Sequence, residues 1–248
     1  MILNKIFTAK QKDINSLADQ PTGLEPSDRD FLLAIQQSGF GIIAEMKQRS
    51  PSEGELCQHY HPAQRAQAYQ AGGATALSIL TDQTFFGGDY SHITLARQAC
   101  QLPILCKDFI IDPKQIYAAR AAGADACLLI VRILTDDQLA TLKHTIEHLN
   151  MTALVEVFNE QDLSRALAVN AKLVGVNNRD LDTLQMDTTA SYRLQKLIPN
   201  QVTLLSLSGV KTPAEVHQLK QAGMDGVLMG TCLMRAQDPT AFLQDCAA

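Results

Sequence analysis

An eight-stranded β/α barrel behind a short helical extension is the fold this sequence predicts, on three observations. A unit of helix, glycine stop and short strand recurs along the chain. The strands so marked are apolar almost throughout, which fits a parallel sheet covered on both faces. Laying the unit along the chain yields eight strands and eight helices, which favours a closed (β/α)8 TIM barrel over an open doubly wound sheet. The 248 residues also suit one such barrel.

The elements follow in order. Residues 1–40 read as an N-terminal helical extension. Ile2, Ile6 and Ile14 space apolar groups along its first helix. A second helix is expected over Pro26–Gln37, capped near Ser27. Strands are expected near 42–47, 76–80, 103–107, 126–131, 152–157, 173–177, 202–207 and 226–230. Helices fit near 62–71, 90–100, 112–122, 135–149, 159–168, 188–197, 212–222 and 238–246. The stops are plainest at Gly72-Gly73, Gly123 and Gly223, where glycine serves the left-handed end of a helix. No linker rich in Pro, Gly, Ser or charge divides the chain, so 1–248 is expected to form one domain. No G-x-G-x-x-G follows the first strand, which removes the dinucleotide fingerprint.

Composition narrows the classes further. A formal net charge of −5 argues against broad nucleic-acid or acidic-membrane binding, yet leaves room for a locally cationic pocket. No apolar stretch reaches the ~18 residues of a membrane span. Lysines interrupt the opening MILNKIFTAKQK, unlike a secretory signal. The six cysteines form no C-x-x-C pair and several sit in strand-like runs, as reduced thiols of a cytoplasmic protein would. His144 and His148 have a spacing metals can use, but Lys143 and Glu147 beside them point to a solvated face, and no metal is expected. His59 and His61 read as loop residues ahead of the helix-leading Pro62.

Strand ends carry the chemistry. The first strand, in GIIAEMKQRSPSEG, ends in Glu45 and Lys47, two apart and therefore on one face. The loop Arg49, Ser50, Pro51, Ser52 after it could cover a site. The third strand ends in Lys107, followed by Asp108 and Phe109. The fifth holds Glu156 between valines, where burial would raise its proton affinity. The sixth ends in Asn177, Asn178 and Arg179. All would converge on one mouth of the barrel, as an acid/base set with an anion clamp. Ser208-Gly209 and Gly230-Thr231, after the last two strands, read as a phosphate site. Thr212 or Thr231 could head a helix whose positive end faces the anion.

Together, IIAEMKQRSPSEG, LTDQTFFGG, CKDFIID, GADACLLIVRIL, ALVEVF, GVNNRDLDTL, SLSGV and GTCLMRAQDP resemble the successive signatures of the indole-3-glycerol phosphate synthase family. The resemblance runs from about Ile2 to about Pro239. It implies decarboxylating ring closure and dehydration of 1-(2-carboxyphenylamino)-1-deoxyribulose 5-phosphate in tryptophan biosynthesis. It implies neither cofactor nor metal. Lys107 matches the family's general acid, a role that desolvation and neighbouring charge would ease near neutral pH. Glu156 matches the general base, and Glu45 with Lys47 the first-strand pair, Lys47 holding the substrate carboxylate. Ser50, Asn177 and Arg179 match substrate contacts; Phe109, Leu128 and Leu181 match walls for the aromatic ring; Ser208, Gly209, Gly230 and Thr231 match the sugar-phosphate end. A monomer is expected, with at most weak association with other enzymes of the pathway.

One departure matters. The family's seventh strand reads S-E-S-G, and here Leu207 stands in place of the glutamate. Asp89 and the pair Thr231-Cys232 are smaller departures. Two alternatives stand beside the leading reading. Another phosphate-handling barrel of the pathway, such as phosphoribosylanthranilate isomerase, would need a cysteine/aspartate pair. A non-catalytic, metabolite-binding barrel would have Leu207 as its only support.

Overall fold

Eight parallel strands close on themselves. The structure, a computed structural model, describes residues 2–19, 21–51, 53–57, 60–180 and 183–248. The side chain of Ile2, and the whole of Ser52, His59 and Leu181, lie outside the described residues. The barrel strands are β1 (Gly41–Met46), β2 (Ala76–Leu80), β3 (Ile104–Lys107), β4 (Ala126–Ile130), β5 (Thr152–Val157), β6 (Leu173–Asn177), β7 (Thr203–Leu207) and β8 (Gly226–Met229). They pair in sequence order, and β8 returns to β1 through Gly41↔Gly226 and Ala44↔Met229.

Side-chain alternation divides the apolar residues between two cores. Ile43, Leu105, Leu154, Leu173, Leu205 and Leu228 fill the barrel. Ile42, Ile79, Cys106, Val155 and Val227 point outward against the helices. Burial on both faces is why these strands read as continuous apolar runs rather than alternating ones.

The helices are α1 (Ile2–Ile14), α2 (Phe31–Gln37), α3 (Pro62–Ala71), α4 (Gln83–Phe86), α5 (Tyr90–Ala99), α6 (Pro113–Ala122), α7 (Asp136–His148), α8 (Glu160–Ala168), α9 (Ala190–Gln195), α10 (Pro213–Gln221), α11 (Thr231–Arg235) and α12 (Pro239–Ala247). Gly123 ends α6 at φ 106°, a left-handed turn that favours glycine. The short α11 begins at Thr231, one of the two helix heads expected after the last strands, whereas three short elements were not expected: a hairpin pairing Arg49–Ser50 with Gly54–Glu55, α4 and a 3-10 turn at Val131–Ile133. Each is too short to show a period in the sequence.

The extension straps both ends of the barrel. Its second helix starts at Phe31, not at Pro26, and its cap is Asp30, whose carboxylate accepts from the Leu33 N–H at 2.9 Å. Ser27 is drawn elsewhere: its hydroxyl donates to Asp125 Oδ1 at 2.7 Å, where Arg97 and Arg120 also converge. Phe31 and Ile35 then plug the lower end of the barrel core. At the upper end α1 brings Lys10, which is buried, to Asp82 at 3.0 Å and Asp108 at 2.7 Å.

The sequence's minor readings sort as follows. His144 and His148 are exposed on α7, although Lys143 beside them is buried and donates to Glu147 at 2.6 Å. The six cysteines are free thiols, four buried and two half-buried. Among the described residues no helix is long and apolar enough to cross a membrane.

Candidate functional site

The C-terminal ends of the strands surround one cavity of about 480 Å3. Parity decides who enters it. Glu45 is inward on β1, and Lys47 follows it by two residues. Lys107 ends β3 with Phe109 two residues on; Glu156 is inward on β5; Asn177 ends β6 with Arg179 two residues on. Ser208 and Gly209 follow β7, Gly230 and Thr231 follow β8, and Ser50 enters from the hairpin. All twelve line the cavity.

Two charged pairs form its working floor. Lys107 Nζ lies 3.7 Å from Glu156 Oε2, and Asn177 Nδ2 donates to Glu156 Oε1 at 3.1 Å. Glu156 is 1% exposed, and its Oε2 accepts no hydrogen bond. A carboxylate with one oxygen oriented and the other open is arranged to take up a proton from a bound molecule. Beside it, Lys47 Nζ donates to Glu45 Oε1 at 2.7 Å. A Cβ at Gly230 would lie 2.6 Å from that same oxygen, so glycine there makes room for the carboxylate.

Glu45 is buried, which raises its proton affinity, but the charges of Lys47 and Lys107 outweigh burial and hold its carboxyl below the ordinary range. A depressed carboxyl stabilises the fold above its unfolded pKa and loses that contribution as pH falls through the folded value. Glu45→Gln should therefore cost more stability at pH 6 than at pH 3, as denaturant titrations at the two pH values would read.

The turn after β7 also borders the cavity. Ser208 and Gly209 take φ values of 64° and 90°, and Val210 and Lys211 continue this turn along the cavity wall. Arg179 joins from β6, its backbone N–H bonded to Asn177 Oδ1 at 3.0 Å. Arg235, at the end of α11, bonds Glu53 of the hairpin loop at 2.9 Å and ties that loop to the site. The expectation for Thr212 needs correcting. It caps α10 through a reciprocal pair with Glu215, and it does not line the cavity. Thr231 does line it, but begins a helix of only five residues. That is too short to add much of a dipole.

The cavity also has an apolar wall. Phe109, Phe86, Leu128 and Leu207 contribute to it, with the two phenyl rings 6.2 Å apart. Leu207 is inward on β7 and 1% exposed. It lies so close over Gly175 that a Cβ there would come within 2.6 Å of Leu207 Cδ1. A glutamate at this position would share the cavity with Lys47 and Lys107. Leu207→Glu is expected to leave turnover unchanged or raise it by up to about a hundredfold, one added charge-assisted contact being the most it supplies. Steady-state kinetics of the variant would check this, and a large fall would mean the wall has been retuned around leucine.

Several residues at the site escaped sequence reasoning. Ile6 of α1, Phe86 of α4, Glu53, Lys211 and Arg235 all line the cavity. Lys10 anchors Asp108, the residue after Lys107. Asp108 stood in plain view in the run CKDF, but nothing in the sequence near Lys10 signals its partner. Among the described residues no cluster of three His, Cys, Asp or Glu side chains is placed to hold a metal. Cys232 also lines the cavity, donating to the Val210 carbonyl at 3.6 Å; burial pushes its thiol up to about 11. It stays protonated near neutrality and is a poor base, which weighs against a cysteine/aspartate isomerase.

Fold and site together define a β/α-barrel enzyme whose cavity brings a lysine against a buried carboxylate. Known proteins narrow the class. The profile described as indole-3-glycerol phosphate synthase matches residues 3–246. A protein named indole-3-glycerol phosphate synthase 2 from Streptomyces coelicolor is 47% identical, with 86% of this chain and 83% of that protein covered. An indole-3-glycerol phosphate synthase from Desulforamulus reducens is 41% identical, with 99% and 96% covered. The chain belongs to the indole-3-glycerol phosphate synthase family, carbon–carbon lyases of tryptophan biosynthesis. Solved structures share the fold at low identity. Thiamine phosphate pyrophosphorylase from Pyrococcus furiosus has a TM-score of 0.65 at 13% identity, covering 85% of this chain and 95% of that one. A 3-hexulose-6-phosphate synthase has 0.62 at 17%, covering 84% and 98%.

Proposed function

We propose that this chain closes the indole ring of 1-(2-carboxyphenylamino)-1-deoxyribulose 5-phosphate through a division of labour among the residues that line the cavity. The phosphate sits against the Ser208–Gly209 turn, Gly230 and Thr231. The aromatic ring lies on the wall of Phe109 and Leu128. Lys47 holds the ring carboxylate, and Ser50, Asn177 and Arg179 orient the chain between the two ends.

The ring carbon bearing the carboxylate forms the new bond to the ribulose carbonyl carbon. The carbonyl electron pair moves to oxygen, which takes a proton from the Lys107 ammonium. Carbon dioxide leaves, and its bonding pair returns to the ring. In the dehydration the new hydroxyl leaves as water with a proton from Lys47, while Glu156 removes a proton from the adjacent carbon. Two protons are given and one is taken, so one net proton comes from solvent, which balances the charge of the departing carboxylate. Glu45 holds Lys47 in place through their 2.7 Å hydrogen bond.

The observation that carries this reading is the 3.7 Å approach of Lys107 to Glu156 in the cavity that the anion turn also lines. A monomer forming one domain over residues 1–248 is part of this reading, and the free cysteines suit the cytoplasm. Purified protein incubated with the carboxyphenylamino sugar phosphate should develop the fluorescence of an indole product. Ligand binding without that signal would point instead to a non-catalytic barrel.

A further inference from the structure

Two consecutive asparagines end β6, and they face opposite ways. Asn177 enters the cavity and bonds Glu156. Asn178 is buried on the other side, against β7 and α9. Its Nδ2 donates to Ser206 Oγ at 3.0 Å, to the Leu207 carbonyl at 3.1 Å and to the Ser208 carbonyl at 3.0 Å. Its Oδ1 accepts from the Ser191 N–H at 3.2 Å and the Ser191 hydroxyl at 2.9 Å. Ser191 and Ser206 share a further bond at 2.9 Å. The backbone N–H of Asn178 adds a second donor to the Leu207 carbonyl, at 3.0 Å. An amide this fully engaged at both ends holds a single orientation.

The segment it grips is the unusual one. Ser208 stands in the left-handed region at φ 64°, where a residue with a side chain persists only if its surroundings hold it there. In a trans peptide the carbonyl and the N–H of one unit point in opposite directions. With the Leu207 and Ser208 carbonyls turned to Asn178, the N–H groups of Ser208 and Gly209 are turned away from it. Among the described residues neither N–H has a hydrogen-bond partner. Both residues line the cavity.

We infer that Asn178 is the positioning residue of the anion-binding turn: its side-chain amide clasps the Leu207 and Ser208 carbonyls and so presents the Ser208 and Gly209 N–H groups to the phosphate. The inference rests on reading this turn as the phosphate seat. Asn178 touches no substrate. It acts on binding of the phosphate through the turn, and leaves the Lys107–Glu156 chemistry alone.

The test measures steady-state kinetics and the affinity for inorganic phosphate in wild type, Asn178→Ala and Asn178→Asp. The aspartate has similar shape but offers acceptors where donors are needed. Both variants should raise KM about tenfold or more, weaken inorganic phosphate by a similar factor and change kcat by less than about threefold. Unchanged KM and phosphate affinity, or a fall in kcat alone, overturns the inference. If neither variant yields folded protein, the Ser191→Ala/Ser206→Ala pair loosens the same amide and should move KM and phosphate affinity in the same direction; no movement there overturns it equally. The phosphate arm separates this claim from the proposed reaction. Weakened phosphate binding without indole formation in wild type would leave the clasp standing and remove the reaction, and indole formation with an unaltered KM in the variants would do the reverse.

Discussion

Lys107→Ala is expected to slow indole formation by about 10²- to 10⁴-fold, the range that loss of a positioned proton donor commands. Glu156→Gln should fall in the same range. The two side chains meet at 3.7 Å, and Asn177 orients the carboxylate from the other side at 3.1 Å. Glutamine keeps the shape and the Asn177 contact but cannot take up the proton that dehydration releases. Each variant should lose kcat with little change in the binding of the phosphate end, since the anion turn lies on β7 and β8. The two losses should also add poorly, because groups acting on one substrate in sequence are not independent. Indole-product fluorescence under saturating substrate checks both. Full activity in either variant would remove the proposed mechanism.

Lys10→Met should destabilise the protein by about 3–5 kcal/mol, the usual consequence of leaving one side of a buried ion pair alone. The Lys10 ammonium is 4% exposed and faces two carboxylates, Asp82 and Asp108, at 3.0 and 2.7 Å. Burial by itself would lower its pKa, but Asp108 and Asp82 outweigh it and hold the ammonium well above the ordinary lysine range. A raised folded pKa means this contribution is complete at every pH below the unfolded value and is lost only as pH rises through the folded one. The effect of the substitution should thus be the same at pH 6 and pH 8. Pairing it with Asp108→Asn should recover part of the loss in denaturant titrations. Turnover should drop as well, because Asp108 follows Lys107 directly and also accepts from Thr81 at 2.5 Å.

The barrel was legible because its signal is repeated. Glycine stops such as Gly123 recur ahead of apolar runs such as Ala126–Ile130, and eight such runs leave little choice of topology. Glu156 was legible because a carboxylate between Val155 and Val157 contradicts its surroundings, and Lys107 because it ends such a run. The second helix was misplaced because Ser27 has the chemistry of a cap but spends its hydroxyl on Asp125, 98 residues away. No local pattern reports such a partner. The hairpin at Arg49–Glu55 was invisible for the opposite reason: strands of two residues have no period to detect.

Residue order and side-chain parity picked out the strand-borne candidates Glu45, Lys107, Glu156 and Asn177, since in a strand every second residue shares a face and exceptions to apolarity stand out, whereas Ser50 and Phe109 entered as substrate contacts through the family resemblance. Order and parity could not show the task of Asn178, whose partners Ser191, Ser206 and Ser208 come from elsewhere in the fold. Nor could they join Lys10 to Asp108, or Arg235 to Glu53. Those pairings arise from the closure of the sheet, which brings loops far apart in the chain around a single mouth, and closure is a property of all eight strands together that no stretch of sequence holds alone.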